Sequence, residues 1–104
     1  MEIQFNTDKN IEGKERLENY VKELISKSLK RFDDYITRIE VHLSDENAHK
    51  EGANDKKCVL EARPTGMKPV AVTCQESTIE KAINGGIDKM KASLDTIIGR
   101  LQNH

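Results

Sequence analysis

A strand pair that runs directly into a long helix limits this chain to few architectures. Lys57-Cys58-Val59-Leu60-Glu61-Ala62-Arg63 and Val70-Ala71-Val72-Thr73-Cys74 flank the turn Pro64-Thr65-Gly66. Centring that turn near Gly66 pairs Ala62 with Val70, Leu60 with Val72 and Cys58 with Cys74. All six fall on one face, as the two-residue strand period demands. The helix that follows opens Ser77-Thr78-Ile79-Glu80-Lys81-Ala82-Ile83, and Ser77-x-x-Glu80 has the form of a capping box. Its apolar stripe is Ile79, Ile83, Ile87, Met90, Leu94, Ile97, Ile98 and Leu101. Gly85 and Gly86 interrupt it at about 1 kcal/mol each relative to Ala, which predicts close packing against another helix.

The preceding residues supply the rest of the layer. Glu2 to Asn6 alternate with period two and read as a half-buried strand, and Thr7-Asp8-Lys9-Asn10 reads as a turn. Leu17, Tyr20, Val21, Leu24, Ile25, Leu29 and Phe32 recur at helical spacing, which predicts an amphipathic helix from about residue 13 to Asp33-Asp34. Ile36 to Ser44 alternates again, with Ile39, Val41 and Leu43 inward and Arg38, Glu40 and His42 outward. Asp45 to Asp55, which includes His49, has no periodicity and reads as a surface loop. The order is β-α-β-β-β-α: an α+β domain over residues 1–104, with a four-stranded sheet and two roughly parallel helices on one face.

A chain of 104 residues can bury one core without a metal or a disulfide. Apolar residues make up 36% and charged residues 34%, with no Trp, so a small aliphatic core sits inside a densely charged surface. No apolar run approaches membrane-spanning length and no leader pattern opens the chain. The expected compartment is the cytoplasm. The net charge of −1 argues against broad non-specific nucleic-acid binding but leaves room for a local basic patch.

Catalytic and metal motifs find little support. The chain has no nucleophile elbow, no phosphate-binding glycine loop and no carboxylate pair in an apolar setting. Cys58 and Cys74 face each other, so a disulfide is geometrically feasible. In a cytoplasmic core they read as reduced thiols packed as small apolar groups. A zinc site needs two more ligands nearby, and neither outward His42 nor loop His49 supplies them. The outward face of Arg38, Glu40 and His42 lacks the aromatics of a base-stacking sheet. No cofactor, metal, membrane or small-molecule substrate is expected.

The element order, joined to Val70-Ala71-Val72-Thr73-Cys74-Gln75-Glu76-Ser77-Thr78-Ile79-Glu80-Lys81-Ala82-Ile83 and Ile87-Asp88-Lys89-Met90, resembles the ribosome hibernation-promoting factors. These are also called ribosome-associated translation inhibitors or sigma-54 modulation proteins. The resemblance spans the chain and is greatest at Ala82, Ile83, Ile87, Asp88, Lys89 and Met90; the length is similar to that of the family's short form. It implies a double-stranded-RNA-binding-domain-like fold and no enzymatic activity. It also implies binding to the small ribosomal subunit between head and body, through basic helix surfaces on ribosomal RNA, so that idle ribosomes under stress are kept intact and silent.

The residues suited to that role are unevenly distributed. Between Lys22 and Arg31, four bases (Lys22, Lys27, Lys30 and Arg31) face Glu23 alone, leaving +3. On a helical wheel Arg16, Lys27, Lys30 and Arg31 gather on one flank of the first helix, suited to phosphate contact. On the second helix Lys89 and Arg100 are the matching candidates, with Arg16, Lys81 and Lys91 as weaker ones. Here the chain departs from the family: Ala92, Ser93 and Thr96 stand where a ladder of bases is usual, and Asp95 adds an acid. That departure predicts weaker, more salt-sensitive or differently placed ribosome contact. The alternative reading is a divergent relative whose second helix serves protein–protein interaction or a weak homodimer.

Overall fold

Alternation and helical periodicity resolve into six main elements in the structure, a computed structural model that describes residues 1–46 and 55–102. The side chains of Arg100, Leu101 and Gln102 lie outside that description, as does most of the expected loop with His49. The elements are β1 (Glu2–Thr7), α1 (Lys14–Ser28), a 3-10 turn (Lys30–Phe32), β2 (Ile36–Asp45), β3 (Lys56–Pro64), β4 (Val70–Glu76) and α2 (Ile79–Gln102). The sheet runs β1-β2-β3-β4. β1 lies parallel to β2, as a strand returning through a helix can, whereas β2–β3 and β3–β4 are antiparallel. This is the α+β order expected.

The hairpin register is the one its turn dictates: Ala62 opposes Val70, Leu60 opposes Val72 and Cys58 opposes Cys74. Met67 N–H donates to the Pro64 carbonyl at 3.3 Å, and Gly66 between them takes φ +72°, a left-handed conformation that side chains disfavour. Ile39, Val41 and Leu43 of β2 join Cys58, Leu60 and Ala62 of β3 beneath the helices, all buried. Val21 and Ile25 of α1, with Ala82, Ile83, Met90 and Leu94 of α2, close the core from above. The sheet's other face is polar. Arg38 reaches Glu40 at 3.6 Å, and Arg63 reaches Glu40 at 3.7 Å and Glu61 at 3.2 Å. These contacts offset the like charges set directly opposite one another, Arg38 against Arg63 and Glu40 against Glu61.

Three local expectations are corrected. The first helix does not continue to Phe32. Leu29 leaves helical geometry at φ −110°, ψ 17°, and the chain tightens so that Phe32 N–H donates to the Leu29 carbonyl. The tighter 3-10 turn keeps both Leu29 and Phe32 buried. The second helix is capped by Thr78 rather than Ser77: the Thr78 hydroxyl accepts from Lys81 N–H at 3.2 Å and its carbonyl accepts from Ala82 N–H. Glu80 therefore stands one position short of closing the box.

The third correction concerns the glycine pair, which packs on the sheet and not on the other helix. A Cβ at Gly85 would lie 2.4 Å from the Cys74 Sγ, and one at Gly86 would lie 3.2 Å from the Cys58 Sγ. The two glycines let α2 settle onto the two facing cysteines. Both cysteines are free thiols and buried.

Burial, and secondarily the neighbouring Cys74, pushes the Cys58 thiol up from 9.0 to about 12. Above pH 9 the unfolded chain loses this proton and the folded chain keeps it. Stability contributed below pH 9 is thus lost progressively as pH rises towards about 12, at about 1.4 kcal/mol per pH unit. Urea melts of the wild type and of Cys58→Ala, taken from pH 8 to 11, should show the steeper decline in the wild type. Parallel declines would refute the assignment.

Candidate nucleic-acid interface

Positive charge on this molecule matters only where the fold gathers it. The C-terminal end of α1, the 3-10 turn and the middle of α2 surround a shallow depression of about 680 Å³, lined by Lys27, Ser28, Lys30, Arg31, Asp34 and Lys91. Its bases come from three elements. The break at Leu29 turns Lys30 and Arg31 off the α1 wheel on which the sequence had placed them, and they face α2 instead.

Within this cluster the partners differ. Lys27 pairs with Glu23 one turn earlier at 3.0 Å, with both side chains largely exposed. The Arg31 guanidinium makes an ion pair with Asp95 of α2 and lies 4.6 Å from the centroid of the Phe32 ring. Lys30 and Lys91 are exposed and make no ion pair with any described residue. The depression therefore holds four bases, two of them already engaged by acids and two open to solvent.

The other expected residues are dispersed. Lys22 pairs with Glu18 at 2.8 Å on α1. Arg16 lies near the start of that helix, in a separate hollow with Glu12, Tyr20 and Glu80. Lys81 is in the first turn of α2, ten residues or about 15 Å along the axis from Lys91. Lys89 is exposed, and its ammonium donates to the Thr73 carbonyl of β4 at 2.8 Å, about 200° round the helix from Lys91. Arg100 lies within α2, but its side chain is outside the described residues. Arg16 sharing a hollow with Glu80, and Lys27 sharing one with Lys91, means that the two helices run in the same direction.

Lys91, a weaker candidate by sequence, lines the depression, and Tyr20 is an apolar position that the expected buried stripe misplaced. Tyr20 is 43% exposed, because α1 buries only Val21 and Ile25 fully. Leu17 and Leu24 are half-buried at the margin. Following the buried stripe of α2 through Met90 and Leu94 would have set Lys91 and Asp95 together on one flank, one turn apart. What that flank faces depends on where α1 ends.

Lys56 titrates above its ordinary range because Asp55 bonds its ammonium at 2.9 Å, with Asp45 adding a second acid at 3.3 Å. Among the described residues no group of three or more His, Cys, Asp or Glu is placed to hold a metal ion. No described helix is long and apolar enough to cross a membrane.

Comparison with known proteins agrees with this architecture. Two solved structures superpose over nearly their whole length. The N-terminal domain of Protein Y from Thermus thermophilus matches with a TM-score of 0.72 and 20% identity, covering 93% of this chain and 99% of that one. A ribosomal subunit interface protein from Coxiella burnetii matches with a TM-score of 0.70 and 17% identity, covering 95% and 99%. At these identities the likeness is one of fold. No curated protein sequence matches. The family model described as Sigma 54 modulation protein / S30EA ribosomal protein matches residues 5–102, from the second half of β1 to the end of α2. On that match, over nearly the whole of a chain whose fold is also that of the two solved structures, the chain belongs to the Sigma 54 modulation protein / S30EA ribosomal protein family, which is not a family of enzymes.

Proposed function

We propose that this protein binds the small ribosomal subunit and silences translation in idle ribosomes, without catalysis. Phosphates of ribosomal RNA would be held by Lys27, Lys30, Arg31 and Lys91. The observation that carries the reading is the convergence of these four bases from three elements on one depression, in a chain whose net charge is −1. A neutral surface has no general reason to concentrate cations at one place. Phosphate contact supplies one, because each Lys or Arg seated on the backbone releases condensed counterions. Family membership makes the ribosome the partner to test first.

Lys22, Arg16, Lys81 and Arg100 flank this centre as outlying contacts. Lys89 is a contact of lesser weight, because its ammonium already serves a carbonyl on β4. The sheet's polar face, with its crossed Arg and Glu pairs, offers no aromatic platform for base stacking. Recognition through the depression is thus of backbone charge and shape rather than of sequence.

Co-sedimentation of the purified protein with small ribosomal subunits between about 50 and 200 mM salt tests the reading. Four phosphate contacts predict that log affinity falls against log salt with a slope of about −3. Binding with a slope near zero, or none at 50 mM (about the low-salt end of that range), would overturn it.

A further inference from the structure

Arg31 and Asp95 are separated by 64 positions in the chain, yet they meet at the rim of the basic depression. The guanidinium has the Phe32 ring beside it and the carboxylate in hydrogen-bonding contact. Side-chain exposures of 56% and 49% leave both groups open to water, and an exposed ion pair contributes little to folding. The same openness leaves the guanidinium reachable by an incoming anion. Arg presents a planar fork that suits a carboxylate and a phosphate equally well. One guanidinium edge cannot be filled by both.

Resting on the reading of this depression as the ribosomal RNA contact, we propose that Asp95 is an internal competitor for phosphate. It occupies Arg31 until RNA displaces it, and thereby sets the affinity of the interface. Its place on α2 suits the role, since it stands one helical turn beyond Lys91, beside the bases that receive the phosphate. Asp34, also at the rim, adds negative charge but has no ion pair with Arg31.

The alternative is a clasp that merely ties the 3-10 turn to α2. Asp95→Asn separates the two, because it keeps the shape and removes the charge. As a competitor, Asp95 predicts that Asp95→Asn binds small ribosomal subunits about two- to fivefold more tightly at 100 mM salt, the free energy of an exposed ion pair expressed as a ratio. The salt slope should stay at about −3, since Arg31 counts among the four phosphate contacts in both proteins, with melting temperature little changed. Glu15→Gln makes the same change in net charge twelve residues before Lys27 on α1, about 18 Å along the axis and beyond the screening length of about 10 Å at 0.1 M salt. It should leave binding alone. If the wild type binds and Asp95→Asn binds identically, or if Glu15→Gln tightens binding as much, the competitor role fails and the interface stands. If neither wild type nor Asp95→Asn binds at low salt, the interface falls and the competitor role falls with it.

Discussion

Reversing charge at Lys27, Lys30 and Lys91 together, each to Glu, is expected to weaken binding to small ribosomal subunits by more than about a hundredfold at 0.15 M salt. The three residues contribute from α1, the 3-10 turn and α2 to one depression, and the change replaces three cations with three anions where phosphate must sit. Arg31 is spared so that its pair with Asp95 stays as it is and the three lysines alone are tested. The fold should survive. Lys27→Glu sets a like charge against Glu23, in place of the present pair at 3.0 Å, and costs a few tenths of a kcal/mol. Surface changes at the other two positions each stay within about 0.5 kcal/mol. Circular dichroism and a melting curve establish folding, and sedimentation reads binding. A folded triple variant that still binds would remove the depression from the interface.

The second large effect is on stability. Gly85→Ala is expected to lower the melting temperature by roughly 4 to 16 °C, because the new methyl group would meet the Cys74 sulfur at 2.4 Å. Overpacking in a closed core costs about 1–3 kcal/mol, and so close an approach takes the upper part of that range, about 2–3 kcal/mol; the helix regains about 1 kcal/mol by exchanging Gly for Ala. The net loss is about 1–2 kcal/mol, and each kcal/mol moves a domain of this size by about 4–8 °C. In a Cys74→Ala background the sulfur is gone and only the propensity gain remains. There the same change at Gly85 should stabilise, and this inversion of sign is the measurement of interest. Gly86→Ala should be near neutral, since its Cβ would stand 3.2 Å from the Cys58 sulfur and the propensity gain offsets that smaller strain. Equal losses at Gly85 in both backgrounds would show that the cysteine is not what the glycine accommodates.

Local rules read some parts of this molecule well and others badly, for definite reasons. The β3–β4 register was legible because a short turn and a strict period of two leave one solution that keeps six apolar residues on one face. The inward residues of β2 were legible for the same reason. The end of α1 was not. Leu29 and Phe32 are three apart, a spacing shared by an α-helix and a 3-10 turn, so periodicity cannot tell the two apart. Everything that depended on that end was displaced with it, including the flank on which Lys30 and Arg31 were placed. The glycine pair was legible as a close approach, but its partner was not, because the neighbours of α2 are set by the sheet. Lys91 gained importance from the same tertiary arrangement, which carries it to the turn that holds Arg31.

The hydrogen bond from Lys89 to Thr73 bears on the edge of the sheet. Asp8 N–H donates to the Leu43 carbonyl, so odd-numbered residues of β2 direct their backbone groups towards β1 and even-numbered ones towards β3. Carried through the registers, this turns Cys58 and Leu60 towards β4, and turns Cys74 and Val72 back to meet them. Thr73 between them therefore points its carbonyl away from the sheet. β4 is an outermost strand, and Ala71 to Gln75 carry neither a charge nor a proline. Such a margin ordinarily invites another extended chain to zip on. Lys89 fills the central acceptor of that margin with a cation, so an arriving strand meets a spent carbonyl and a positive charge it must strip of water. A side chain drawn from the most family-like stretch of the helix thus acts as a selvage for the sheet, keeping it four strands wide.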